Sequence, residues 1–257
     1  MPEFCKIQRD GHVTTITVAR PEVMNAIHPP ASAELSAAFD AFAADPDAWV
    51  AILTGAGDKA FSAGNDLKFQ ASGGRLEWPA NGFGGITSRF DLAKPVIAAV
   101  NGLALGGGFE MVLACDIAIA SETASFGLPE PRVGLAALGG GLHRLPRQIG
   151  MKPAMGMLLT GRRVGAREAL ALGIVNEVVA PEDLAATARR WADAICECSP
   201  VSVRTTKRVA LEGLAHASLP EAIGARYEAI VELVKSEDFV EGPLAFAQKR
   251  KPHWKGR

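Results

Sequence analysis

Short apolar runs alternate with amphipathic stretches in the first half of the chain. Residues 12–19 alternate β-branched and polar side chains, which is typical of a half-buried strand. Residues 49–53 and 95–100 are apolar runs typical of buried strands. Between them, residues 31–44 place apolar side chains at helical spacing, with Ser32 as the predicted N-cap. A helix between buried strands predicts an α/β fold.

The alternation continues after residue 100 and then gives way to helices. The predicted elements are a helix from Gly106, a strand at 116–120, helices at 153–159 and 166–171, a strand at 174–179, and helices at 182–196, 201–214 and 219–235. The glycine-rich residues 69–85, interrupted by Pro79, predict a mobile loop. We therefore predict a core at 1–200 and a helical C-terminal region at 201–257, which packs across another surface of the molecule or on another subunit.

The composition excludes several classes of protein. The 257 residues are 48% hydrophobic and 21% charged, which is typical of a soluble globular protein. A formal net charge of −1 gives no overall field that attracts nucleic acid or a membrane surface. The apolar runs are too short to span a bilayer, and residues 1–6 lack the apolar segment of a secretory signal. We expect a cytoplasmic protein with no nucleic-acid or membrane partner.

The cysteines indicate neither a disulfide framework nor a metal site. The chain has four, and their spacing matches no metal-binding pattern: Cys5, Cys115, Cys196 and Cys198. The pair at 196 and 198 has no second pair and no clustered histidines beside it. We therefore expect reduced thiols and no bound metal.

Two glutamates in glycine-containing, apolar surroundings are the strongest chemical signal. Glu110 follows Gly106-Gly107-Gly108-Phe109, and Glu130 follows Phe126-Gly127-Leu128-Pro129. Burial raises the pKa of a carboxyl group and makes it a usable general acid or base near neutral pH. Glycines beside the first glutamate leave backbone N–H groups open to a ligand. These parts suit the addition or removal of water next to an acyl carbonyl.

Two other catalytic motifs fail. Residues 55–60 fit the loose dinucleotide pattern GxGxxA, but no helical periodicity follows to hold a pyrophosphate, so a turn is favoured. Ser62 and Ser125 do not lie in GxSxG, and no histidine stands in a context that would pair with either. His143 is favoured as a surface or structural residue rather than a catalytic one.

Several motifs together resemble the enoyl-CoA hydratase/isomerase (crotonase) family in order and spacing, over nearly the whole chain to residues 249–251. They are Arg-Pro-Glu-Val-Met-Asn-Ala at 20–26, Phe-Ser-Ala-Gly-Asn-Asp-Leu-Lys at 61–68, Lys-Pro-Val-Ile-Ala-Ala-Val-Asn-Gly at 94–102, Gly-Gly-Gly-Phe-Glu at 106–110, Cys-Asp at 115–116, Phe-Gly-Leu-Pro-Glu at 126–130 and Leu-Thr-Gly at 159–161. The resemblance implies an α/β, crotonase-like ββα spiral core with a helical C-terminal region.

The resemblance also implies a mechanism. The backbone N–H groups of Asn65 and Gly107 would form an oxyanion hole for the thioester oxygen of an acyl-CoA. Glu110 and Glu130 would be the catalytic pair of a hydratase, which adds water reversibly and in syn fashion to a 2-enoyl-CoA. One carboxyl group deprotonates the water and the other protonates the α-carbon. No metal or redox cofactor is implied, because coenzyme A enters as part of the substrate.

Segments that match the coenzyme A site of the family lie in both halves of the chain. The residues implied in substrate binding are Val23, Met24, Ala26, Ala63, Asp66, Leu67, Lys68, Leu138, Phe246 and Lys249. The last two match positions that contact the nucleotide end, often across a subunit boundary, although a solvated basic tail is the alternative. The family also implies a homotrimer or a homohexamer.

One segment departs from the common hydratase pattern. After Gly134 the chain has Ala-Leu-Gly-Gly-Gly at 137–141, and Leu138 stands where a small glycine commonly lies beside the attacking water. This puts a short-chain acyl preference in doubt and keeps a carnitinyl-CoA dehydratase-like activity open, as does an enoyl-CoA isomerase activity. A non-catalytic, RNA-binding relative would carry a basic excess, which the charge of −1 argues against.

Overall fold

The computed structural model of the chain describes residues 2–75 and 77–257. Its strands, in chain order, are β1 Cys5–Asp10, β2 Val13–Val18, β3 Val50–Gly55, β4 Ala60–Ser62, β5 Val96–Val100, β6 Leu103–Leu105, β7 Ile117–Ser121, β8 Ser125–Gly127, β9 Arg163–Gly165 and β10 Glu177–Val179. Its α-helices are α1 Pro29–Ala44, α2 Leu67–Ala71, α3 Gly107–Ala114, α4 Gly141–Ile149, α5 Met151–Thr160, α6 Ala166–Leu172, α7 Leu184–Cys196, α8 Pro200–Gly213, α9 Leu219–Gly224, α10 Glu228–Val234 and α11 Glu237–Ala247.

The strands form two sheets that the chain visits in turn. The larger sheet has the order β1-β2-β3-β5-β7-β10, with β1 and β2 antiparallel and the later neighbours parallel. The smaller sheet has the order β4-β6-β8-β9. Strands β3, β5 and β7 of the larger sheet are each followed by a short strand of the smaller one. This repeated step, completed by a helix after β6, is the ββα spiral, and the predicted fold class is confirmed.

Each face of the larger sheet has its own apolar layer, because successive side chains of a strand point to opposite faces. Val50 and Ile52 of β3 pack with α7, which covers that face through Ala188 and Ala192. Leu53 of β3 belongs to the main core on the other face, together with four large buried phenylalanines: Phe39, Phe61, Phe109 and Phe126. The main core therefore lies between the two sheets and the helices α1 and α3.

The start of α1 differs from the prediction. The helix begins at Pro29, and its N-cap is His28, whose Nδ1 accepts a hydrogen bond from the Ala31 N–H. Ser32 is not the N-cap; it is buried, and its Oγ accepts a hydrogen bond from the Gly84 N–H. Two prolines at the first helical positions need no hydrogen-bond acceptor for their nitrogens, so the helix starts earlier than its apolar periodicity does.

Two further boundaries were predicted wrongly. The strand expected at 174–179 is shortened to β10, and the helix expected at 219–235 is divided into α9 and α10. Ala225 and Tyr227 adopt extended backbone angles between these helices, and the Tyr227 hydroxyl donates to the Ala222 carbonyl. The tyrosine therefore fixes a bend that the apolar periodicity does not reveal.

Helices α8 to α11 make up the C-terminal region. Lys207 of α8 ties it to the core by hydrogen bonds to Asp116 Oδ2 at 2.7 Å and to the Lys94 carbonyl at 3.0 Å. Within the region α10 and α11 pack against α8. These helices and their connections expose many large apolar side chains, among them Leu211, Leu214, Leu219, Ile223, Val240 and Phe246. The predicted division into 1–200 and 201–257 stays a prediction.

Candidate active site

Glu110 lies in the first turn of α3 with 4% of its surface exposed. Its Oε1 accepts a 2.8 Å hydrogen bond from the backbone N–H of Gly141, the first residue of α4. A Cβ atom at Gly139 would lie 2.5 Å from Oε2, and one at Gly141 would lie 3.1 Å from Oε1. The glycines at 139–141 therefore let a backbone loop close directly onto the carboxyl group.

Glu130 opens a short 3-10 helix, Glu130–Val133, and is half-buried. A Cβ atom at Gly106, the N-cap of α3, would lie 3.0 Å from its Oε1. Its Oε2 is buried and has no hydrogen-bond partner among residues 2–75 and 77–257. Both predicted acids thus approach the N-terminal turn of α3, one from within the helix and one from the neighbouring segment.

Burial is the main cause of the shifted pKa values of both acids. It raises the pKa of Glu110 to about 7; the Gly141 and Gly139 amides and Arg144 oppose this rise, and the charge of Glu130 adds to it. Burial also raises the pKa of Glu130. Burial therefore shifts the pKa of Glu110 toward neutral pH, in the direction expected from the apolar sequence around it.

The backbone of Asn65 reaches the N-terminus of α3 through Gly64. In a parallel bridge, the Ile27 N–H donates to the Gly64 carbonyl and the Asp66 N–H donates to the Ile27 carbonyl, so the Asn65 N–H points to the opposite side. Gly64 has φ +87°, and a Cβ there would lie 2.9 Å from the Gly107 nitrogen. Gly107 begins α3, so its N–H has no acceptor within the helix.

The glycines of α3 have different roles. A Cβ at Gly108 would overlap the carbonyl oxygen of Ser62, so this glycine lets α3 pack against β4. A Cβ at Gly107 would lie 2.5 Å from the ring of Phe83. Gly108 is therefore required for close packing, whereas Gly107 combines an open amide with an aromatic neighbour.

The structure brings together most of the segments expected to bind coenzyme A. The Ala63 N–H donates to the Met24 carbonyl at 2.9 Å, which places residues 23–26 beside residue 63. Asp66 caps α2 through the Phe69 N–H and pairs with Arg20 at 3.0 Å. Val23 and Met24 are half-buried, Ala26 and Asp66 are buried, and Leu67 and Lys68 are exposed at the start of α2.

The remaining predicted residues lie on exposed surface. Leu138 is 83% exposed and stands next to Gly139, in the loop that holds Glu110. Phe246 is 87% exposed at the end of α11, and Lys249 follows it with φ 53°. Helix α11 packs against α8 and α10.

Two residues near the site escaped the prediction because the segment 69–85 shows no periodicity. Phe83 lies over Gly107, and the ring of Trp78 meets it edge-on with centroids 4.9 Å apart. Together they form an aromatic wall beside the start of α3; this name is kept for the pair below. The signal in the sequence was the spacing of Gly82, Gly84 and Gly85, whose positive φ angles fold the segment onto α1 and α3.

Ser62 and His143 do not form a catalytic triad. Ser62 Oγ donates to the Asn25 carbonyl and accepts from the Gly64 N–H, so it supports the backbone. His143 is exposed on α4. Across residues 2–75 and 77–257, no group of three or more His, Cys, Asp or Glu side chains is placed to hold a metal ion. Nor does the described part of the chain contain a helix long and apolar enough to cross a membrane.

Comparison with known proteins decides the family. The family described as "Enoyl-CoA hydratase/isomerase" matches residues 8–257. The chain belongs to the enoyl-CoA hydratase/isomerase family. A carnitinyl-CoA dehydratase of Proteus mirabilis is 44% identical over 263 aligned residues, and one of Escherichia coli is 43% identical over 266, each match covering 100% of both chains.

Solved structures of this family have the same fold. An enoyl-CoA hydratase of Mycobacterium marinum matches with a TM-score of 0.93 and 38% identity over 100% of both chains. A carnitinyl-CoA hydratase of Mycobacterium avium matches with a TM-score of 0.78 and 42% identity over 99% of both chains. The resemblance seen in the motifs and the prediction of an enoyl-CoA hydratase-type lyase are thereby confirmed.

Proposed function

We propose that the protein catalyses the reversible addition of water to a 2-enoyl-CoA thioester, with Glu110 and Glu130 as the acid and base. The observation that carries this proposal is the convergence of both carboxyl groups on the N-terminal turn of α3. Glu110 belongs to that turn, and Glu130 Oε1 lies beside its N-cap Gly106. Two acids beside an open helix N-terminus can act on an acyl group whose carbonyl oxygen binds there.

The amides of Asn65 and Gly107 serve as the oxyanion hole. Both belong to backbone held rigidly, Asn65 by the bridge to Ile27 and Gly107 by α3. They stabilise the negative charge that builds on the thioester oxygen as the enolate forms, and one such donor contributes about 3 kcal/mol to lowering the barrier. The residues 20–26 and 63–68 bind the coenzyme A portion of the substrate.

The two carboxyl groups must begin hydration in different protonation states. The base takes a proton from water as its oxygen attacks C3, and the acid delivers a proton to C2, so each returns to its starting state when the reaction reverses. Burial favours a state in which the two carboxyl groups hold one proton between them. A negative charge on one group makes ionisation of the other less favourable.

The test is the loss of enoyl-thioester absorbance in a panel of short, long, branched and aromatic 2-enoyl-CoA substrates. At least one member should lose absorbance at a rate proportional to enzyme concentration. Absence of turnover for the whole panel, with binding of coenzyme A intact, would contradict a hydratase. Movement of the double bond without uptake of water would point to an isomerase instead.

A second candidate is dehydration of carnitinyl-CoA. Two observations favour it: 44% identity over the full length to relatives with that name, and the aromatic wall beside Gly107. Aromatic faces attract a quaternary ammonium group by cation–π interaction, worth roughly 0.5–2 kcal/mol. Crotonobetainyl-CoA and its uncharged isostere 5,5-dimethylhex-2-enoyl-CoA separate the candidates. A higher kcat/KM for the cationic thioester identifies this activity, and a higher value for the isostere excludes it.

For the assembly we infer a homotrimer or a homohexamer. The exposed apolar side chains of α8 to α11 support contact between subunits, which would cover surface that a monomer leaves in water. In such an assembly Phe246 and Lys249 reach the nucleotide end of coenzyme A bound to a neighbouring subunit. Light scattering tests this assembly, and the wild type should have three or six times the chain mass. Steady-state kinetics test the role of Phe246: Phe246→Ser should raise KM more than it lowers kcat.

The remaining expectations follow from the substrate. We propose that no metal or redox cofactor takes part, because the acid–base pair and the oxyanion hole supply the steps that hydration needs. Turnover should therefore survive exhaustive dialysis against a chelator. We also propose a cytoplasmic enzyme of fatty acid metabolism, since its substrate is an acyl-CoA. The formal charge of −1 gives no electrostatic support to RNA binding as an alternative.

A further inference from the structure

Arg144 lies close to Glu110 without forming an ion pair with it. It belongs to the first turn of α4, the helix whose leading amide binds the Glu110 carboxyl group. Its guanidinium folds back over Gly140, where a Cβ atom would overlap Nη1. Nη1 lies 3.5 Å from the Gly139 carbonyl oxygen, and Cζ lies 5.6 Å from the centroid of the Phe90 ring. The side chain thus lies across the loop that encloses Glu110.

Among residues 2–75 and 77–257, no carboxylate makes direct contact with the Arg144 guanidinium, so its charge is compensated from a greater distance. In the described part of the chain the half-buried guanidinium forms no salt bridge, whereas the buried Arg89 pairs with Asp40 at 2.8 Å. A cation withdrawn from water needs a compensating negative charge. Glu110 supplies it across the loop: its charge raises the pKa of Arg144, against the lowering caused by burial.

We propose that Arg144 is a positioning residue for Glu110, which holds the loop 138–141 against the carboxyl group and places a positive charge beside it. The proposal rests on the function proposed above, in which Glu110 handles a proton. Its first part follows from the guanidinium lying over Gly140 and against Gly139. Its second follows from the effect of Glu110 on Arg144, which forms no salt bridge with any described residue.

Among the described residues, no other positive charge near Glu110 replaces that of Arg144. Helix α3 packs against β4, β6 and a short 3-10 helix, Phe83–Gly85, none of which contains an ionisable side chain, and against α4. Glu130 faces Glu110 with a like charge. Burial raises the pKa of Cys115 far above neutral, so its thiol is uncharged, and the neighbouring Asp116 is paired with Lys207. The remaining ionisable residues of α4, His143 and Arg147, are exposed.

The expected effect is a change in the pH dependence of catalysis. A neighbouring cation favours a carboxylate over its acid, so Arg144→Gln should raise the pKa of Glu110. If ionised Glu110 is the active form, the acid limb of kcat/KM moves to higher pH by at least roughly 0.5 pH unit; if protonated Glu110 is the active form, the alkaline limb moves in the same direction. Arg144→Lys keeps the charge and should leave the limb within about 0.2 of its wild-type position, while kcat falls because Lys lacks the planar donor set.

Arg147→Gln is the matched control. Arg147 is exposed, lies nearly one turn further along α4, and donates to the His143 carbonyl at 2.8 Å. The same substitution there removes a charge from the same helix without touching the loop 138–141. Its pH profile should coincide with that of the wild type. A purely structural role for Arg144 would lower kcat equally at every pH and leave the acid limb in place.

The experiment records kcat/KM between pH 5 and 9 for the wild type and the three variants, with the best thioester of the panel. Coinciding pH profiles of the wild type and Arg144→Gln, with neither the acid nor the alkaline limb displaced, would overturn the proposal. If Arg144→Gln does not fold, Arg144→Lys provides the test. This variant keeps the positive charge, so an acid limb raised by about half a pH unit would show that the charge does not set the limb. If the wild type hydrates no thioester, the proposed function fails, and carbon-13 NMR titration of Glu110 in these variants still tests Arg144.

Discussion

The backbone N–H of Gly141 donates a 2.8 Å hydrogen bond to Oε1 of Glu110. The bond joins the start of α4 to the first turn of α3, so two helix N-termini meet at one carboxyl group. Helix N-termini favour the ionised acid, whereas burial favours the neutral one. Burial prevails in part and leaves the pKa of Glu110 at about 7, where proton transfer in either direction is accessible.

Replacing either acid should abolish most of the turnover. Glu110→Gln and Glu130→Gln keep the size of the side chain but remove the proton transfer, so each should lower kcat by at least about a hundredfold. Steady-state hydration of the best thioester measures the loss. The exposed Glu122→Gln is the control and should be indistinguishable from the wild type. Near-normal turnover in one of the two variants would remove that residue from the mechanism.

The raised pKa of Glu110 also predicts a pH-dependent stability. The group has a pKa of about 7 in the folded chain and 4.5 when free. The folded state therefore holds this proton more tightly, and its contribution to stability is present below pH 4.5 and lost as the pH rises through 7. The shift corresponds to at most ~3 kcal/mol.

Glu110→Gln should remove this dependence, because the amide does not ionise. Thermal unfolding at pH 5 and pH 8 measures the outcome: the variant should gain stability relative to the wild type at pH 8, with a smaller difference at pH 5. Comparing the two proteins at each pH cancels the titration of all other groups that they share. A variant that is less stable than the wild type at pH 8 would show that burial does not destabilise the ionised form of Glu110.

The sequence predicted which residues meet at the candidate site better than it predicted the contacts that hold them there. Glu110, Glu130, Asn65 and Gly107 belong to contiguous motifs, and the structure brings them to one helix N-terminus. The amide that binds Glu110 comes from residue 141, thirty-one positions away, and no local pattern encodes such a contact.

The predicted secondary structure failed where tertiary contacts override local preference. Ser32 has the chemistry of an N-cap, but its hydroxyl is used by the Gly84 amide of a distant loop. Phe83 lies in a segment without periodicity, so its position over Gly107 depends on glycines that turn the chain rather than on an amphipathic pattern.

The loop glycine next to Glu110 should be intolerant of even a methyl group. In Gly139→Ala the new Cβ would lie 2.5 Å from Glu110 Oε2, so the carboxyl group or the loop must move. A displacement of this kind in a catalytic group should lower kcat by about a hundredfold.

Gly156→Ala provides the control for that substitution. Gly156 lies inside α5, and a Cβ there would meet no atom within 4 Å in the described part of the chain. Alanine in a helix interior is favoured over glycine by roughly 1 kcal/mol, so this variant should be slightly more stable and fully active. Equal activity of the two variants would show that the loop is free to relax away from Glu110.

The contact between Gly64 and the start of α3 provides the sharpest test of the oxyanion hole. Gly64 and Gly73 have nearly the same backbone angle, φ +87° and φ +85°, so alanine is similarly strained at both and costs about 1 kcal/mol of stability. At Gly64 the added Cβ would lie 2.5 Å from the Leu105 carbonyl oxygen and 2.9 Å from the Gly107 nitrogen, whereas at Gly73 it would meet none of the described atoms within 4 Å. The Cβ at Gly64 would force the Asn65 and Gly107 amides apart.

We expect Gly64→Ala to lower kcat/KM by about a hundredfold, the usual effect of losing one oxyanion donor, and Gly73→Ala to retain activity. Equal kcat/KM values in two folded variants would place the oxyanion hole elsewhere.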